Sequence, residues 1–485
     1  MKKLITDWRL YWFLLLLPVA LFLPAIPIDE TRYLAIGWEM RMRGDYWMPY
    51  LDGNVYTGKG PVFFWLMNLD WLVAGNHVWA VRLSVVGTSF ASLVLFERVA
   101  LRLSGDATLA RRASLLLAGM MLFAVFAALI MFDVLLTTCV LIVLHGVLDL
   151  DDRRDRRGVA LITLGIALGL LVKGPVVLLD AGLVALLAPW WSASARSAPL
   201  RWYGLVLLGV LGGAAAALAW ALVASGGWDY LRTVLLHQTV ERLSSSFAHE
   251  RPWWWYLMVL PVMVLPWTLS LRAPWRAWRD SVTGHKLTRF GSVWFAAPLI
   301  VFSFVSGKQP HYLLPLLPGV ALYFAHVLND RSAVLRGRGF GLLLFLCGLA
   351  LVSAPHLFAH ASELPLLVKH VENGDLDAPT LKLLAGIWPI WGILLALIGA
   401  YLFAHPRAHT SITTLTLASV ASATLCMLTI AQSLLPTVDV SAAAVRIRAA
   451  QESGKPIVHL GWHHALFEFA DRLRQPLEAI DTRHL

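Results

Sequence analysis

Long apolar segments separated by short polar loops are the feature that most constrains how this chain can fold. A membrane-crossing helix needs about 20 consecutive apolar residues, and about 13 such segments lie along the sequence. They are 10–28, 77–99, 113–131, 133–149, 159–172, 175–191, 203–224, 255–271, 291–305, 312–328, 339–359, 383–404 and 411–432. The chain is 58% hydrophobic and 14% charged, whereas a soluble domain carries roughly 25% charged residues. The sequence therefore predicts an all-α polytopic membrane protein.

Two of the apolar runs are long enough to hold a helical hairpin each. The run 115–150 is interrupted by Asp133 and His145, and the run 161–191 by Lys173-Gly174-Pro175 and Asp180. Gly-Pro is a turn signal, so we place Lys173 between two helices. Asp180 is expected to be paired with another side chain inside the bundle.

The distribution of arginine among the loops predicts the orientation in the membrane. Arginine is present in all six of the alternate loops 102–112, 151–157, 192–201, 272–289, 330–338 and 405–409, whereas in the other loops lysine and arginine occur singly beside acids or aromatics. Placing these six loops inside also accounts for the net charge of +10 without a nucleic acid partner. Met1-Lys2-Lys3 and the apolar run after it resemble a signal peptide, but no small-x-small motif precedes Asp29. We therefore expect an uncleaved first helix and a cytoplasmic N-terminus.

The opposite face collects the unusual polar residues. It offers the acids Asp29, Glu30 and Asp133, the bases Arg32, Lys59, Lys173, Arg242, Arg251 and Lys308, and the further donors Tyr56, His237, His249, His311 and Tyr312. Cations that converge at membrane depth repel one another unless they share an anion, and phosphate suits lysine and arginine. A nearby carboxylate can then act as a base or orient a polar substrate. For a single cation the alternative is snorkelling to lipid headgroups, and for Asp133 it is helix capping.

The first outer loop, 29–76, is too long to lack structure. We predict two interfacial helices in it, Arg32–Arg43 and Pro61–Ala74. The tail after residue 435 is polar and too short for a large core of its own. We therefore divide the chain into a membrane part, 1–435, and a short outer tail, 436–485. Cys139, Cys347 and Cys426 form no CxxC pair, so neither a disulfide framework nor a cysteine zinc site is indicated.

Seven motifs follow one another in an order that is typical of one superfamily. They are Asp29-Glu30-x-Arg32-Tyr33, Gly44-Asp45, Tyr56-x-x-Lys59-x-Pro61, Leu171-Val172-Lys173-Gly174-Pro175, Arg242 with His249-x-x-Pro252, Pro266-Trp267, and Lys308-x-x-x-Tyr312-x-x-Pro315. In this order they resemble the bacterial relatives of protein mannosyltransferases, and most closely the aminoarabinose transferases that modify lipid A. The resemblance covers residues 1 to about 435.

The resemblance implies a bacterial inner-membrane protein that has a GT-C glycosyltransferase fold with a periplasmic active-site cavity. It implies a sugar donor linked to undecaprenyl phosphate, and lipid A or another envelope glycan as the acceptor. By motif, Asp29 is the candidate catalytic carboxylate, with Glu30 and Asp133 as further acids. The candidates for the donor phosphate and its surroundings are Arg32, Tyr56, Lys59, Lys173, Arg242, His249, Lys308 and Tyr312. Because the leaving phosphate is an anion, charge stabilisation and in-line displacement with inversion are expected, without a general acid.

One departure from the family pattern concerns a metal. Many relatives have Glu-Lys-Pro-Pro where this chain has Gly58-Lys59-Gly60-Pro61, so we expect no required cofactor, and a metal held at this position is doubtful. Three alternatives stay open at this point. They are a protein or cell-surface glycan mannosyltransferase of the same superfamily, a secondary transporter, and a lipid flippase or polymerase. A transporter would show broken helices in two related halves and has little use for the 29–76 loop.

Overall fold

The computed structural model describes residues 7–225, 250–330, 332–364, 378–405, 411–433, 436, 439–455, 457–460 and 464–480. Helices make up nearly all of the regular structure in these ranges. In chain order they are α1 Trp8–Phe22, α2 Asp29–Arg43, α3 Val62–Ala74, α4 Val78–Ser104, α5 Ala107–Gly119, α6 Met121–Phe126, α7 Phe132–Asp151, α8 Asp155–Lys173, α9 Leu183–Leu186, α10 Ala188–Trp191, α11 Ala193–Ser197, α12 Pro199–Ser225, α13 Trp255–Met263, α14 Trp267–Ser270, α15 Trp275–Gly284, α16 Lys286–Phe304, α17 Leu317–Val327, α18 Arg338–Ala359, α19 Ala378–Ala385, α20 Pro389–Ala404, α21 Ile412–Ser433 and α22 Ser441–Glu452.

Strands contribute only short pairs to the described part of the chain. The six strands are β1 Tyr50–Leu51, β2 Asn54–Val55, β3 Leu271–Arg272, β4 Val334–Leu335, β5 Val458–Leu460 and β6 Glu478–Ile480. They pair as β1–β2 and β3–β4, both antiparallel, and as β5–β6, which is parallel. A π-helix over Leu178–Gly182 and a 3₁₀-helix over Pro310–Leu316 complete the regular elements.

Six helices in the described residues are long and apolar enough to cross a membrane. They are Val78–Ser104, Phe132–Asp151, Pro199–Ala224, Lys286–Phe304, Arg338–Ala359 and Ile412–Ser433. The other predicted spans also contain helices, but these are shorter or interrupted, as at Met120 between α5 and α6. The prediction of an all-α membrane protein is confirmed, whereas the count of about 13 crossings stays a prediction.

Glycines let neighbouring membrane helices approach closely. A Cβ built on Gly348 of α18 would lie 2.5 Å from the backbone nitrogen of Ala396 on α20, and one on Gly399 would lie 2.4 Å from that of Phe345. Helices in lipid associate by van der Waals packing, which small residues at the contact improve. This pair therefore packs backbone against backbone.

The two predicted helices of the first outer loop are present as α2 and α3. Helix α2 buries Tyr33, Ile36, Gly37 and Met40 on one side. Helix α3 contacts it through Asn68, whose side-chain amide donates to the carbonyl oxygen of Gly37 at 3.1 Å.

The outer tail packs on the other side of these two helices. The Phe469 ring stacks on Trp71 with centroids 5.0 Å apart, and the indole nitrogen of Trp38 donates to the carbonyl oxygen of Leu473 at 2.9 Å. The first outer loop is thus held between the bundle and the tail. The division into parts at residue 435 remains a prediction.

Candidate active site

Asp133 and Lys173 meet at one end of the α7–α8 hairpin. Helix α7 has 20 residues and α8 has 19, so the start of the first lies beside the end of the second when the two run antiparallel. Gly174 ends α8 with a φ of +76°, a backbone conformation that suits glycine. The Lys173 ammonium lies 2.5 Å from the Asp133 carboxylate, and their side chains are 11% and 2% exposed.

Helix dipoles favour this arrangement of charges. Asp133 lies in the first turn of α7 and Lys173 in the last turn of α8. An acid at a helix N-terminus and a base at a C-terminus are both stabilised by the dipole. Asp133 makes no capping hydrogen bond, and residue 131 occupies the N-cap position. The structure therefore favours the ion pair with Lys173 over capping by the Asp133 side chain.

Asp29 stands at the first turn of α2, next to Arg32. The two side chains form an ion pair in which Asp29 is 46% exposed and Arg32 is 26% exposed. Asp29 is therefore the accessible carboxylate of the site, and Asp133 the buried one. The Asp29 carboxylate and the hydroxyl groups of Tyr56 and Tyr33 interact electrostatically with Arg32. Burial raises the pKa of the Tyr33 hydroxyl, so this hydroxyl is protonated and able to donate.

The loop that carries Lys59 lies directly against the end of α8. A Cβ built on Gly60 would lie 2.1 Å from the carbonyl oxygen of Leu171. Only a residue without a Cβ allows this approach, which brings the Lys59 loop beside Lys173. The Lys59 ammonium donates to the carbonyl oxygen of Gly58 at 3.2 Å.

His311 and Tyr312 lie in the 3₁₀-helix that faces both charged pairs. The Lys173 ammonium lies 4.7 Å from the centroid of the Tyr312 ring, a cation–π contact. Burial lowers the pKa of His311 to about 4, so this imidazole is neutral near pH 7. The charges that act on it are those of Asp133, Lys173, Asp29 and Lys59. Two carboxylates and two ammonium groups therefore act electrostatically on one neutral histidine.

Aromatic rings form the apolar side of the site. Phe132 makes edge-to-face contacts with Tyr33, Phe63 and Phe64, with ring centroids 4.8 Å, 4.8 Å and 5.5 Å away. Phe132 directly precedes Asp133, so its packing fixes the start of α7 against α2 and α3. Edge-to-face pairs contribute about 0.5–1.5 kcal/mol each beyond the area that they bury.

Lys308 donates to backbone carbonyl oxygens and not to a carboxylate. It is 3% exposed, and its ammonium donates to the carbonyl oxygens of Arg251, at 2.9 Å, and Val305. Burial lowers the pKa of Lys308. In this arrangement Lys308 ties the segment at 250–251 to the turn before Pro310, and its role toward a donor phosphate stays a prediction. The predictions for Arg242, His237 and His249 lie outside the described residues.

Glu30 has a different environment from the other two acids. It is 3% exposed and pairs with Arg82 through two hydrogen bonds of 2.6 Å and 2.9 Å. Sequence reasoning expected a catalytic acid here and missed Arg82. A charged residue inside an apolar span was the available signal, because such residues are rare and usually have a specific partner.

Asp180 is not paired as the sequence analysis expected. It is fully buried in the π-helical turn, and within the described ranges neither of its carboxylate oxygens has a hydrogen-bond partner. Lys173 and Asp133 are the charged groups that act on it. Asp180 lies in a π-helical turn, which residue spacing does not reveal, so the sequence did not indicate its surroundings.

Position 58 does not fit a metal ligand. Gly58 offers no side-chain donor, and a Cβ there would lie 2.6 Å from the hydroxyl oxygen of Tyr56. The residues with described placement include no group of three or more His, Cys, Asp or Glu side chains arranged to hold a metal ion. We therefore derive no step through a metal.

Comparison with known proteins identifies the family. The family profile described as dolichyl-phosphate-mannose-protein mannosyltransferase matches residues 58–220. An undecaprenyl phosphate-α-4-amino-4-deoxy-L-arabinose arabinosyl transferase of Pseudomonas aeruginosa strain UCBPP-PA14 is 34% identical over 405 residues, which are 79% of this chain and 71% of that protein. The chain belongs to this arabinosyl transferase family. A second relative with the same description, from Pseudomonas aeruginosa strain PAO1, is 33% identical over 377 residues, 75% of this chain and 66% of that protein.

Solved structures of the arabinosyl transferase ArnT from Cupriavidus metallidurans share the fold. The structure bound to undecaprenyl phosphate has a TM-score of 0.72 and 19% identity, covering 99% of this chain and 85% of that one. The apo structure gives a TM-score of 0.72 and 18% identity, covering 98% and 84%. The predicted GT-C fold is therefore confirmed, and this member of the arabinosyl transferase family is a membrane-embedded glycosyltransferase.

Proposed function

We propose that this chain transfers 4-amino-4-deoxy-L-arabinose from undecaprenyl phosphate to a phosphate group of lipid A, with inversion at the anomeric carbon. The observation that carries the proposal is the Asp133–Lys173 ion pair at 2.5 Å, beside which the close approach of Gly60 to Leu171 places the Lys59 loop. This site offers cations for an anionic leaving group and an accessible carboxylate for an amino sugar. Family membership supports the choice of donor and acceptor.

The chemistry is a displacement at the anomeric carbon. The bond from this carbon to the donor phosphate oxygen breaks, and undecaprenyl phosphate leaves with the electron pair. An oxygen of the acceptor phosphate forms the new bond from the opposite face. Lys173 and Lys59 stabilise the charge on the leaving phosphate, since fixed cations act strongly in a site shielded from water. In this role Lys173 is shared between Asp133 and the donor.

Asp29 has a role in this reaction that requires no proton transfer. A lipid A phosphate is already ionised near neutral pH, so its oxygen needs no general base. The Asp29 carboxylate instead orients the amino group of the sugar and stabilises positive charge that develops at the anomeric carbon. Arg32 holds this carboxylate from one side. No metal is required in this account, and Gly58 offers no side-chain ligand for one.

The variant Asp29→Asn tests this role. It keeps the shape of the side chain and removes the charge, so we expect a loss of kcat of about 10²–10³-fold, the range for removing one group that stabilises charge in a transition state. The pH–rate profile of the residual activity should keep the limb that belongs to ionisation of the acceptor phosphate. Activity close to that of the wild type would remove Asp29 from the mechanism.

A hydroxyl acceptor is the second candidate, and the match of the mannosyltransferase profile to residues 58–220 favours it. A hydroxyl must lose its proton as the bond forms, so Asp29 would act as a general base. The wild-type rate would then rise with pH through the pKa of that base, and Asp29→Asn would lose this limb. The same profile therefore separates the two acceptors.

We infer a periplasmic active site, with the N-terminus in the cytoplasm and the tail in the periplasm. The arginine-containing loops on the opposite side support this orientation. Cysteines introduced at Asn54 and Val445 should react with a membrane-impermeant thiol reagent added outside the inner membrane. A cysteine at Arg276 should not react. Labelling of residue 276 alone would reverse the orientation.

A further inference from the structure

Glu30 and Arg82 form the most enclosed ion pair near the site. Arg82 is 0% exposed and Glu30 is 3% exposed. The guanidinium donates from both terminal nitrogens to the two carboxylate oxygens, at 2.6 Å and 2.9 Å. With this burial neither side chain is available to a substrate in the site.

The pair joins two separate segments of backbone. Arg82 also donates to the carbonyl oxygens of Leu23 at 3.0 Å, Pro24 at 2.6 Å and Ala128 at 3.0 Å. Glu30 in turn accepts from two backbone amides, those of Ile26 at 2.8 Å and Ile130 at 2.7 Å. The residues 23–30 and 128–130 are therefore held together by side chains and not by a common helix or strand.

The two joined segments are the ones that carry the carboxylates of the site. Asp29 directly precedes Glu30, and Ile130 lies in the short link that leads into α7 and Asp133. A buried ion pair is a poor source of stability, because desolvation offsets the attraction between the charges. The main contribution of this pair is to hold the two segments in fixed relative positions.

We propose that Glu30 and Arg82 are positioning residues that fix the Asp29 carboxylate relative to the Asp133–Lys173 pair. The proposal rests on the proposed function for the role of Asp29, and it gives Glu30 a positioning role in place of the catalytic role expected from its motif. A misplacement of about 1 Å in an active site can lower a rate about 10²-fold. Positioning therefore affects turnover more than donor binding.

The double variant Glu30→Gln/Arg82→Gln separates positioning from stability. Each single variant leaves one buried charge without its partner and should lower the apparent Tm strongly. The double variant removes both charges and keeps hydrogen-bonding groups for the backbone, so its apparent Tm should return toward the wild-type value. The glutamine at 82 is too short to reach all of the arginine's acceptors. We therefore expect kcat to stay about 10–100-fold low, with the KM for the donor changed by no more than about twofold.

Amide exchange provides a readout that does not depend on the sugar. In the double variant the peptide covering 126–133 should exchange faster than in the wild type. The glutamine at 30 has one oxygen where Glu30 has two, so it cannot accept from both Ile26 and Ile130, and the shorter side chain at 82 holds Ala128 less firmly. Arg82→Lys, which keeps the charge but not the fork, should fold and show the same loss of kcat. As a matched control, Asp149→Asn breaks the pair with Arg102 at the far end of the same helix α4. It should lower the apparent Tm and leave kcat unchanged.

Wild-type kcat in Arg82→Lys, or wild-type kcat and exchange in the double variant, would overturn the positioning role. A wild-type enzyme that does not turn over the aminoarabinose donor would contradict the proposed function instead. In that case the exchange of the 126–133 peptide still decides whether the pair fixes this segment.

Discussion

Gly60 makes the closest backbone approach in the site. The distance of 2.1 Å from a built Cβ to the Leu171 carbonyl oxygen is far below van der Waals contact. Since the neighbouring atom belongs to the backbone of α8, it cannot turn aside as a flexible side chain would. The Lys59 loop and the end of α8 are therefore coupled in position by one residue.

Gly60→Ala should separate the Lys59 loop from Lys173. Overpacking of this kind typically costs about 1–3 kcal/mol, so we expect a lower apparent Tm together with a lower kcat/KM for the donor. Tryptophan fluorescence during heating and steady-state kinetics measure the two effects. Gly87→Ala on α4 is the matched control, because a Cβ there meets nothing within 4 Å and alanine favours a helix. Equal behaviour of the two variants would show that the close approach has no consequence.

The charged residues of the site could be predicted to different degrees. Asp133 and Lys173 interrupt apolar runs, so their placement at one end of a hairpin follows from helix length and the Gly-Pro turn signal. The partner of Glu30 could not be predicted in this way. Arg82 lies 52 residues away in the sequence, and no local pattern selects it from the other arginines of the chain.

The break between α5 and α6 at Met120 shows why some predicted spans contain an interrupted helix. The sequence predicts one continuous span over 113–131, but Met120 is extended, with φ −65° and ψ 128°. The Met121 amide there donates to the carbonyl oxygen of Leu265 at 2.8 Å. This hydrogen bond comes from a distant segment and replaces one within the helix, so the local sequence does not indicate it.

The outer tail and the β1–β2 turn are joined by a pair of carboxyl groups. Asp52 in the turn and Glu468 in the tail are close enough for each carboxyl group to act on the pKa of the other. Burial raises the pKa of Asp52 to about 6, and burial together with Asp52 raises the pKa of Glu468 to about 8. The other titratable groups that act on the pair are Glu39, His459 and His464.

These raised pKa values make docking of the tail onto the β1–β2 turn depend on pH. The docked tail binds more protons than a detached tail, whose carboxyl groups have ordinary pKa values. Docking is therefore strongest at acidic pH. It weakens as the pH rises from about 4, the ordinary pKa of a carboxyl group, through the docked-state pKa values of about 6 and about 8. The two ionised carboxylates would then face each other in a buried contact.

Distances between spin labels at Asn54 and Val445 measure this docking. We expect a narrow distribution at about pH 5.5 and a broader one at about pH 9. Glu468→Gln leaves Asp52 as the one ionisable member of the pair and removes the repulsion between two carboxylates, so its distribution should broaden much less than that of the wild type. The exposed acid Glu452 of α22 provides the control, because Glu452→Gln should keep the wild-type response. A distribution that does not change with pH in the wild type would contradict this account.

For the whole molecule, composition was enough to predict the class of fold but not the number of crossings. Apolar runs indicate helices in lipid because the backbone must satisfy its own hydrogen bonds there. Short helices such as α13 and α14 lie in one predicted span, and their lengths depend on packing against neighbours. The site likewise depends on the whole fold, because its residues come from α2, the Lys59 loop, α7, α8 and the 3₁₀-helix.

The most direct test of the account is transfer by the purified protein in lipid nanodiscs. The assay supplies undecaprenyl phosphate-linked 4-amino-4-deoxy-L-arabinose and lipid A, and mass spectrometry measures the product. We expect lipid A that carries the sugar on a phosphate with the wild type, and a product reduced about 10²–10³-fold with Asp29→Asn. Lipid A that stays unmodified with a folded wild-type protein, or equal product from both proteins, would contradict the account.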